Sequence, residues 1–150
     1  MFKRPILALA LVAMALAVGL TGAPEARAGT QERFTIPVDG AQVAPGPGDP
    51  DGGGGIFIFL DRQTGRFCFF ADTANISTPL TSVDLHRAPA GSEGPIVTPL
   101  HGPSTTDPDG SACLDLDPDL VKEISKHKAD FYIDIHNEEF PGGALRGQLG

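Results

Sequence analysis

The sequence predicts an all-β fold, namely an antiparallel β-sandwich or barrel with one short helix at about residues 118–127. Short apolar segments recur along the chain, and Gly, Pro and Asp separate them. Two of these segments are joined by a five-residue linker that ends in glycine, which indicates a hairpin. Only one stretch has apolar residues at helical spacing. Many short strands with a single helix are typical of sandwiches and barrels.

The hairpin consists of residues 56–60 and 66–70, and its linker ends at Gly65. Both strands are apolar on both faces, so we expect them to be central and covered on both sides. The stretch 40–55 is rich in turn residues, and its Gly-, Pro- and Asp-rich part, residues 46–55, predicts a surface loop. Further strands are expected at residues 33–38, 82–86, 95–100, 111–116, 131–136 and 144–149.

The helix has clear start signals. Asp117 is a favourable N-cap and Pro118 suits the first helical position, because its missing N–H would have no partner there. Apolar residues then recur at helical spacing, namely Leu120, Val121 and Ile124. We therefore expect the helix to begin at Pro118 and to end near His127.

Residues 1–28 have the pattern of a secretory signal peptide. Lys3 and Arg4 precede an apolar run of about 15 residues, which is shorter than the ~20 residues of a spanning helix. Ala26-Arg27-Ala28 is a small-x-small cleavage pattern. We expect cleavage after Ala28 or nearby, one secreted or cell-envelope domain over residues 29–150, and no membrane span after cleavage. An uncleaved membrane anchor is the alternative.

The charge balance narrows the range of partners. The chain carries −8, and the leader alone carries +2, so the remaining domain carries −10. Nucleic acids and anionic membranes bind basic surfaces, so this acidity argues against both. An extracellular protein or a ligand at the cell surface is the expected partner.

Two cysteines, Cys68 and Cys113, lie in the predicted exported domain. An even pair in an oxidising compartment usually forms a disulfide, and we expect this bond to join two β segments. A redox-active pair is the alternative, but it lacks the Cys-x-x-Cys spacing of such sites.

Four blocks, in order, resemble the CHRD domain, a module named after chordin that also occurs as a lone exported domain in bacteria. The closing block is long and specific: it combines Phe-Tyr-Ile-Asp-Ile-His with Phe-Pro-Gly-Gly-Ala-Leu-Arg-Gly-Gln-Leu. A second block reads Leu-Asp-Arg-Gln-Thr-Gly, at the hairpin. The blocks span residues 38–45, 60–68, 83–97 and 131–149.

The resemblance implies an all-β, extracytoplasmic domain and no established catalytic mechanism. The chain departs from the family pattern at two polar positions. Asp84 replaces the first histidine of a His-x-His pair, and Ala144 stands where the family usually has Glu. A site shared by the family is therefore expected to be altered here.

Strand alternation places two Asp-x-His pairs on polar faces. Val83 and Leu85 share one face of their strand, so Asp84 and His86 share the other; by the same alternation, Asp134 and His136 lie on one face. If the two strands are neighbours, these four side chains converge and suit a divalent metal such as Cu, Zn or Ca. The alternative is a polar strand face in which His136 bonds to the Pro141-Gly142-Gly143 turn.

Two other polar features offer candidate ion sites. The acidic turns at residues 49–52 and 107–110 offer carboxylates to calcium, but neither completes an EF-hand, and Asp-Pro-Asp-Gly favours a turn by itself. Arg146 lies in a strongly acidic domain, so we expect a structural cross-strand ion pair with Asp134. An anion site at Arg146 is the alternative.

The sequence leaves two functions open. It lacks a Gly-x-Ser-x-Gly elbow, a His-Glu-x-x-His motif and a phosphate loop. This favours an exported, non-enzymatic binding or structural module without a cofactor. The alternative is a metal-binding sandwich with redox chemistry resembling that of copper–zinc superoxide dismutases, although few histidines are clustered for a two-metal site.

Overall fold

The computed structural model describes residues 29–101 and 110–150. The predicted leader and the turn at residues 107–109 lie outside the described residues. Eight strands and one α-helix make up the fold: β1 (Gln31–Asp39), β2 (Gly53–Asp61), β3 (Arg66–Ala74), β4 (Leu80–Arg87), β5 (Ile96–His101), β6 (Ala112–Asp115), α1 (Pro118–Lys126), β7 (Phe131–Asn137) and β8 (Leu145–Gln148). Short 3-10 turns cover Gly40–Gln42 and Lys128–Asp130.

The strands form one antiparallel sheet in the order β5-β4-β7-β8-β1-β2-β3-β6. The two edge strands, β5 and β6, contact each other, so the sheet curls into a nearly closed barrel. This confirms the predicted all-β class with one short helix. No helix among the described residues is long and apolar enough to cross a membrane.

The core fills the barrel with one face of each long strand. Period-two alternation sends Val83 and Leu85 inward from β4, and Ile133 and Ile135 inward from β7, all fully buried. Helix α1 contacts β2 and β3, and it buries Val121 and Ile124. The Asp117 side chain accepts a hydrogen bond from the Asp119 N–H, which confirms the predicted N-cap.

The hairpin between β2 and β3 turns at residues 61–65 as expected. The Asp61 carboxylate accepts hydrogen bonds from the N–H groups of Gln63 and Thr64. Gly65 has a φ of +80°, a conformation that a residue with a Cβ rarely adopts. The turn therefore depends on the Asp and Gly at its two ends.

Two expectations about this region were wrong. Strands β2 and β3 are central but covered on one face only, and Phe57 is 53% exposed on the outer face. Residues 46–55 are not simply a surface loop, because 53–55 already belong to β2 and Asp49 is buried. Gly48 packs so closely on the Ala144 carbonyl that a Cβ would clash there. Composition indicated a turn, but it did not reveal this close packing.

The disulfide joins Cys68 of β3 to Cys113 of β6. The two residues are directly opposite in the register of these strands, with their Cα atoms 4.0 Å apart. The bond thus ties the short edge strand β6 to the sheet, as the sequence predicted for two β segments.

Candidate functional site

Strands β4 and β7 are neighbours and bring the two Asp-x-His pairs together on the outer face of the barrel. Asp84 lies opposite Asp134, His86 opposite Tyr132, and Ser82 opposite His136. Because both strands alternate regularly here, the two acids and the two histidines share one face. The antiparallel register then places each histidine diagonally from the aspartate of the other strand.

The diagonal pairs are close. The His136 Nε2 lies 3.8 Å from Asp84 Oδ2, and the His86 Nε2 lies 4.0 Å from Asp134 Oδ2. One ligand atom from each of Asp84, His86 and His136 lies within 4.8 Å of the other two. The structure therefore brings three of the four predicted ligands into one group, and the fourth, Asp134, lies beside His86.

Both imidazoles are oriented by backbone carbonyls through their other nitrogen. The His86 Nδ1 lies 2.9 Å from the Gly94 carbonyl oxygen, and the His136 Nδ1 lies 3.2 Å from the Pro141 carbonyl oxygen. The contact with Pro141 is the one that the polar-face alternative expected. An Nδ1–H that donates to a carbonyl leaves Nε2 as the lone-pair nitrogen, which is the arrangement seen in metal-ligating histidines.

The polar face is buried although it lies outside the barrel. Asp84, His86 and Asp134 are only 7%, 8% and 6% exposed, and His136 is half-buried. Three polar side-chain atoms among the described residues are buried without a hydrogen-bond partner, and two of them, His86 Nε2 and Asp134 Oδ1, belong to this face; the third is Ser111 Oγ. Buried polar atoms are rarely left unpaired, so these two atoms distinguish this face from an ordinary polar strand face.

Residues 88–95 form the cover over this face. The fully buried Arg146 donates hydrogen bonds to the carbonyl oxygens of Pro89 and Ser92, and Gln148 donates to that of Ala88. The Gly94 N–H donates to the Tyr132 hydroxyl. These contacts hold the segment whose Gly94 carbonyl orients His86.

Tyr132 lies at the centre of a three-layer stack. Its ring is parallel to the His86 ring, with centroids 4.7 Å apart, and the Arg146 guanidinium lies 3.5 Å from the ring centroid. Burial raises the pKa of the Tyr132 hydroxyl, so the phenol stays neutral. Strand alternation puts Tyr132 on the same face as Asp134, but it does not reveal this stack, which depends on tertiary contacts.

Arg146 and Asp134 lie directly opposite each other on β8 and β7, the strands expected to bring them together. The guanidinium donates hydrogen bonds to the carbonyl oxygens of Ser92 and Pro89 and to the Gln148 side chain. Burial raises the pKa of Asp134 to about 7, although the positive charge of Arg146 acts to lower it. Asp84 and Glu93 raise it further. The positive charge of Arg146 thus acts on the pKa of Asp134, while the hydrogen bonds of Arg146 hold residues 88–95 in place.

The first acidic turn satisfies its own backbone. The Asp49 Oδ1 accepts hydrogen bonds from the N–H groups of Asp51 and Gly52, at 3.3 and 3.1 Å. This is the turn chemistry expected of the sequence. The second acidic turn lies almost entirely outside the described residues.

A family model for the CHRD domain matches residues 34–149. The chain belongs to the CHRD domain family. Neither a curated protein nor a solved structure matches it significantly. In this CHRD domain Asp84, the residue that departs from the family's His-x-His pair, lies 3.8 Å from His136 through its carboxylate. Ala144, the second departure, is fully buried.

Proposed function

We propose that this CHRD domain is an exported, non-catalytic module that binds one divalent transition-metal ion on its covered polar face. The ligands are the Nε2 atoms of His86 and His136 and the carboxylate of Asp84. The observation that carries the proposal is their convergence within 4.8 Å of one another. The unpaired His86 Nε2 supports it, because a metal ion supplies the partner that this nitrogen lacks.

The donor set favours zinc or copper over calcium. Imidazole nitrogens suit Zn²⁺ and Cu²⁺, whereas Ca²⁺ takes six to eight oxygen ligands. Bonds of about 2.0–2.1 Å in a tetrahedral site place ligand atoms roughly 3.3 Å apart. The ligand atoms of Asp84, His86 and His136 are at most 4.8 Å apart, so they must move inward by up to about 1.5 Å to reach this geometry.

Asp134 is the fourth ligand in this proposal. Its Oδ2 is 4.0 Å from the His86 Nε2, and its Oδ1 is buried without a partner. Four protein ligands close the coordination sphere, as in structural metal sites. A closed sphere of this kind supports a binding role over a catalytic one.

The superoxide dismutase-like alternative is less well supported. A copper–zinc pair needs the ligands of two ions, and among residues 29–101 and 110–150 the group of three or more metal-ligating side chains is Asp84, His86 and His136. These residues, with Asp134, supply enough ligands for one ion. We therefore keep the single-metal module as the proposal.

Export is the second part of the proposal. The leader-like residues 1–28 and the Cys68–Cys113 disulfide both suit an oxidising compartment outside the cytoplasm. The acidic domain suits a partner that is an extracellular protein or a ligand at the cell surface rather than a nucleic acid.

Metal titration of the purified protein tests the proposal. After treatment with a chelator, we expect Zn²⁺ and Cu²⁺ to bind at one ion per chain and Ca²⁺ to bind far more weakly. His86→Ala and His136→Ala should each weaken Zn²⁺ binding at least 100-fold. His127→Ala is the matched control, because His127 is exposed at the end of α1 and away from the cluster. Equal Zn²⁺ affinity in all of these proteins, or no Zn²⁺ binding, would overturn the proposal.

A further inference from the structure

The outer face of β1, β2 and β3 exposes large apolar side chains. Phe57 and Phe70 are 53% and 49% exposed, and their rings lie 6.2 Å apart. Phe59 is half-buried beside them. We call this surface the phenylalanine face and define it by Arg33, Phe57, Phe59, Phe70 and Asp72. Contiguous exposed apolar groups on a soluble domain often mark an interaction site.

Two opposite charges lie at diagonal corners of the phenylalanine face. In one row across the sheet, Arg33 of β1 pairs with Phe59 of β2. Two rows away, Asp72 of β3 pairs with Gly55 of β2. Both charged residues are exposed, and the Arg33 guanidinium lies 5.1 Å from the centroid of the Phe59 ring.

Phe57 occupies the middle of this pattern. It pairs with Thr35 on one side and with Phe70 on the other, in the row between the two charges. From corner to corner, the phenylalanine face therefore carries a positive charge, an apolar centre and a negative charge. Such a pattern is complementary to itself after a rotation of 180° about the diagonal of the face that does not pass through the two charges.

We propose that the phenylalanine face docks onto the same face of a second copy of this chain. A two-fold axis along the second diagonal, through Phe57, sets Arg33 of each copy against Asp72 of the other. The same operation sets Phe59 against Phe70 of the second copy and Phe57 against its own equivalent. An isologous interface requires a surface that complements itself in this way.

The expected dimer is weak. Three strands about 4.8 Å apart over five residues span only roughly 250 Å², against ~800 Å² per partner in a stable interface. The net charge of −10 on each domain without its leader also opposes association. We therefore expect association in the micromolar to millimolar range. The proposal is independent of the metal site, which lies on β4 and β7 in another part of the sheet.

Charge reversal tests this contact. Each variant is expressed from the full sequence, leader included, and the protein that is recovered is measured by sedimentation equilibrium. Arg33→Asp and Asp72→Arg should each weaken dimerisation at least tenfold, because each places like charges together at two symmetric positions. The double variant should restore the wild-type dimer to within about threefold. Lys126→Asp is the control for net charge, because Lys126 is exposed on α1.

Phe57→Ser should abolish the dimer without unfolding the domain, because Phe57 lies outside the core; circular dichroism checks the fold. A protein that stays monomeric at several hundred micromolar would overturn the proposal. The proposal would also be overturned if the single charge reversals left the dimerisation constant unchanged, or if the double variant did not restore it. Binding of a nonpolar probe by a strictly monomeric protein would assign the face to a different partner and overturn it as well.

Discussion

Asp84 and His136 lie diagonally across β4 and β7, with Oδ2 and Nε2 3.8 Å apart, and His86 and Asp134 repeat this relationship at 4.0 Å. The pseudo-symmetry arises because each strand carries Asp-x-His and the antiparallel register sets Asp84 opposite Asp134. Two carboxylates side by side in a buried site repel each other. A bound cation would relieve this repulsion, which links the geometry to the proposed function.

The metal-free protein should lose stability as pH rises from about 4 to about 7. Burial raises the pKa of Asp134 to about 7, against about 3.9 in an unfolded chain. The folded state therefore holds a proton that the unfolded state has released between these values, so its stability falls as pH rises toward 7. Above that range the cost reaches about 4 kcal/mol at most.

Asp134→Asn removes this titration and is the test. In the presence of a chelator, we expect the variant to gain stability over the wild type as pH rises from 5 to 8. Chemical denaturation at several pH values measures the difference in unfolding free energy. A difference that stays constant over this range would show that Asp134 does not titrate there.

Tyr132 should tune the metal affinity by positioning His86. Tyr132→Phe keeps the ring stack but loses the hydroxyl that accepts from the Gly94 N–H at 3.1 Å. Removing a contact that orients a metal ligand typically weakens metal affinity about 10–100-fold. We expect a Zn²⁺ affinity about tenfold weaker, together with a change in the ¹⁵N shifts of His86 that reports its tautomer. Unchanged shifts and affinity would show that Tyr132 only packs.

The disulfide should contribute measurably to stability. It links residues 45 positions apart and ties β6 to β3, so replacing Cys68 and Cys113 by Ala should cost about 2–4 kcal/mol of unfolding free energy. Thiol titration of the denatured, unreduced protein should find essentially none. Two titratable thiols per chain would contradict the account.

The leader should be removed during export. Intact-mass spectrometry of protein recovered from the medium or the envelope should give a chain that starts at Gly29 or close to it, because Ala26-Arg27-Ala28 is the cleavage pattern. A recovered chain that still carries residues 1–20 would instead support a membrane anchor.

Alternation in the sequence was sufficient to predict which side chains share a face. Val83 and Leu85 point into the barrel while Asp84 and His86 point out, as period two requires. The cover could not be predicted, because Arg146 holds Pro89 and Ser92 from more than 50 positions away. Likewise, β2 is apolar on both faces, which indicated that both faces are buried. The pattern does not reveal whether another part of the chain covers Phe57.

X-ray absorption spectroscopy of the zinc-loaded protein tests the central claim most directly. The proposed site predicts two imidazole nitrogens at about 2.0–2.1 Å, with the remaining ligands being carboxylate oxygens at about 2.0–2.2 Å. His136→Ala should remove one imidazole from the spectrum, and His127→Ala should leave it unchanged. A zinc environment made only of oxygen, or one that His136→Ala does not alter, would contradict the proposed site on β4 and β7.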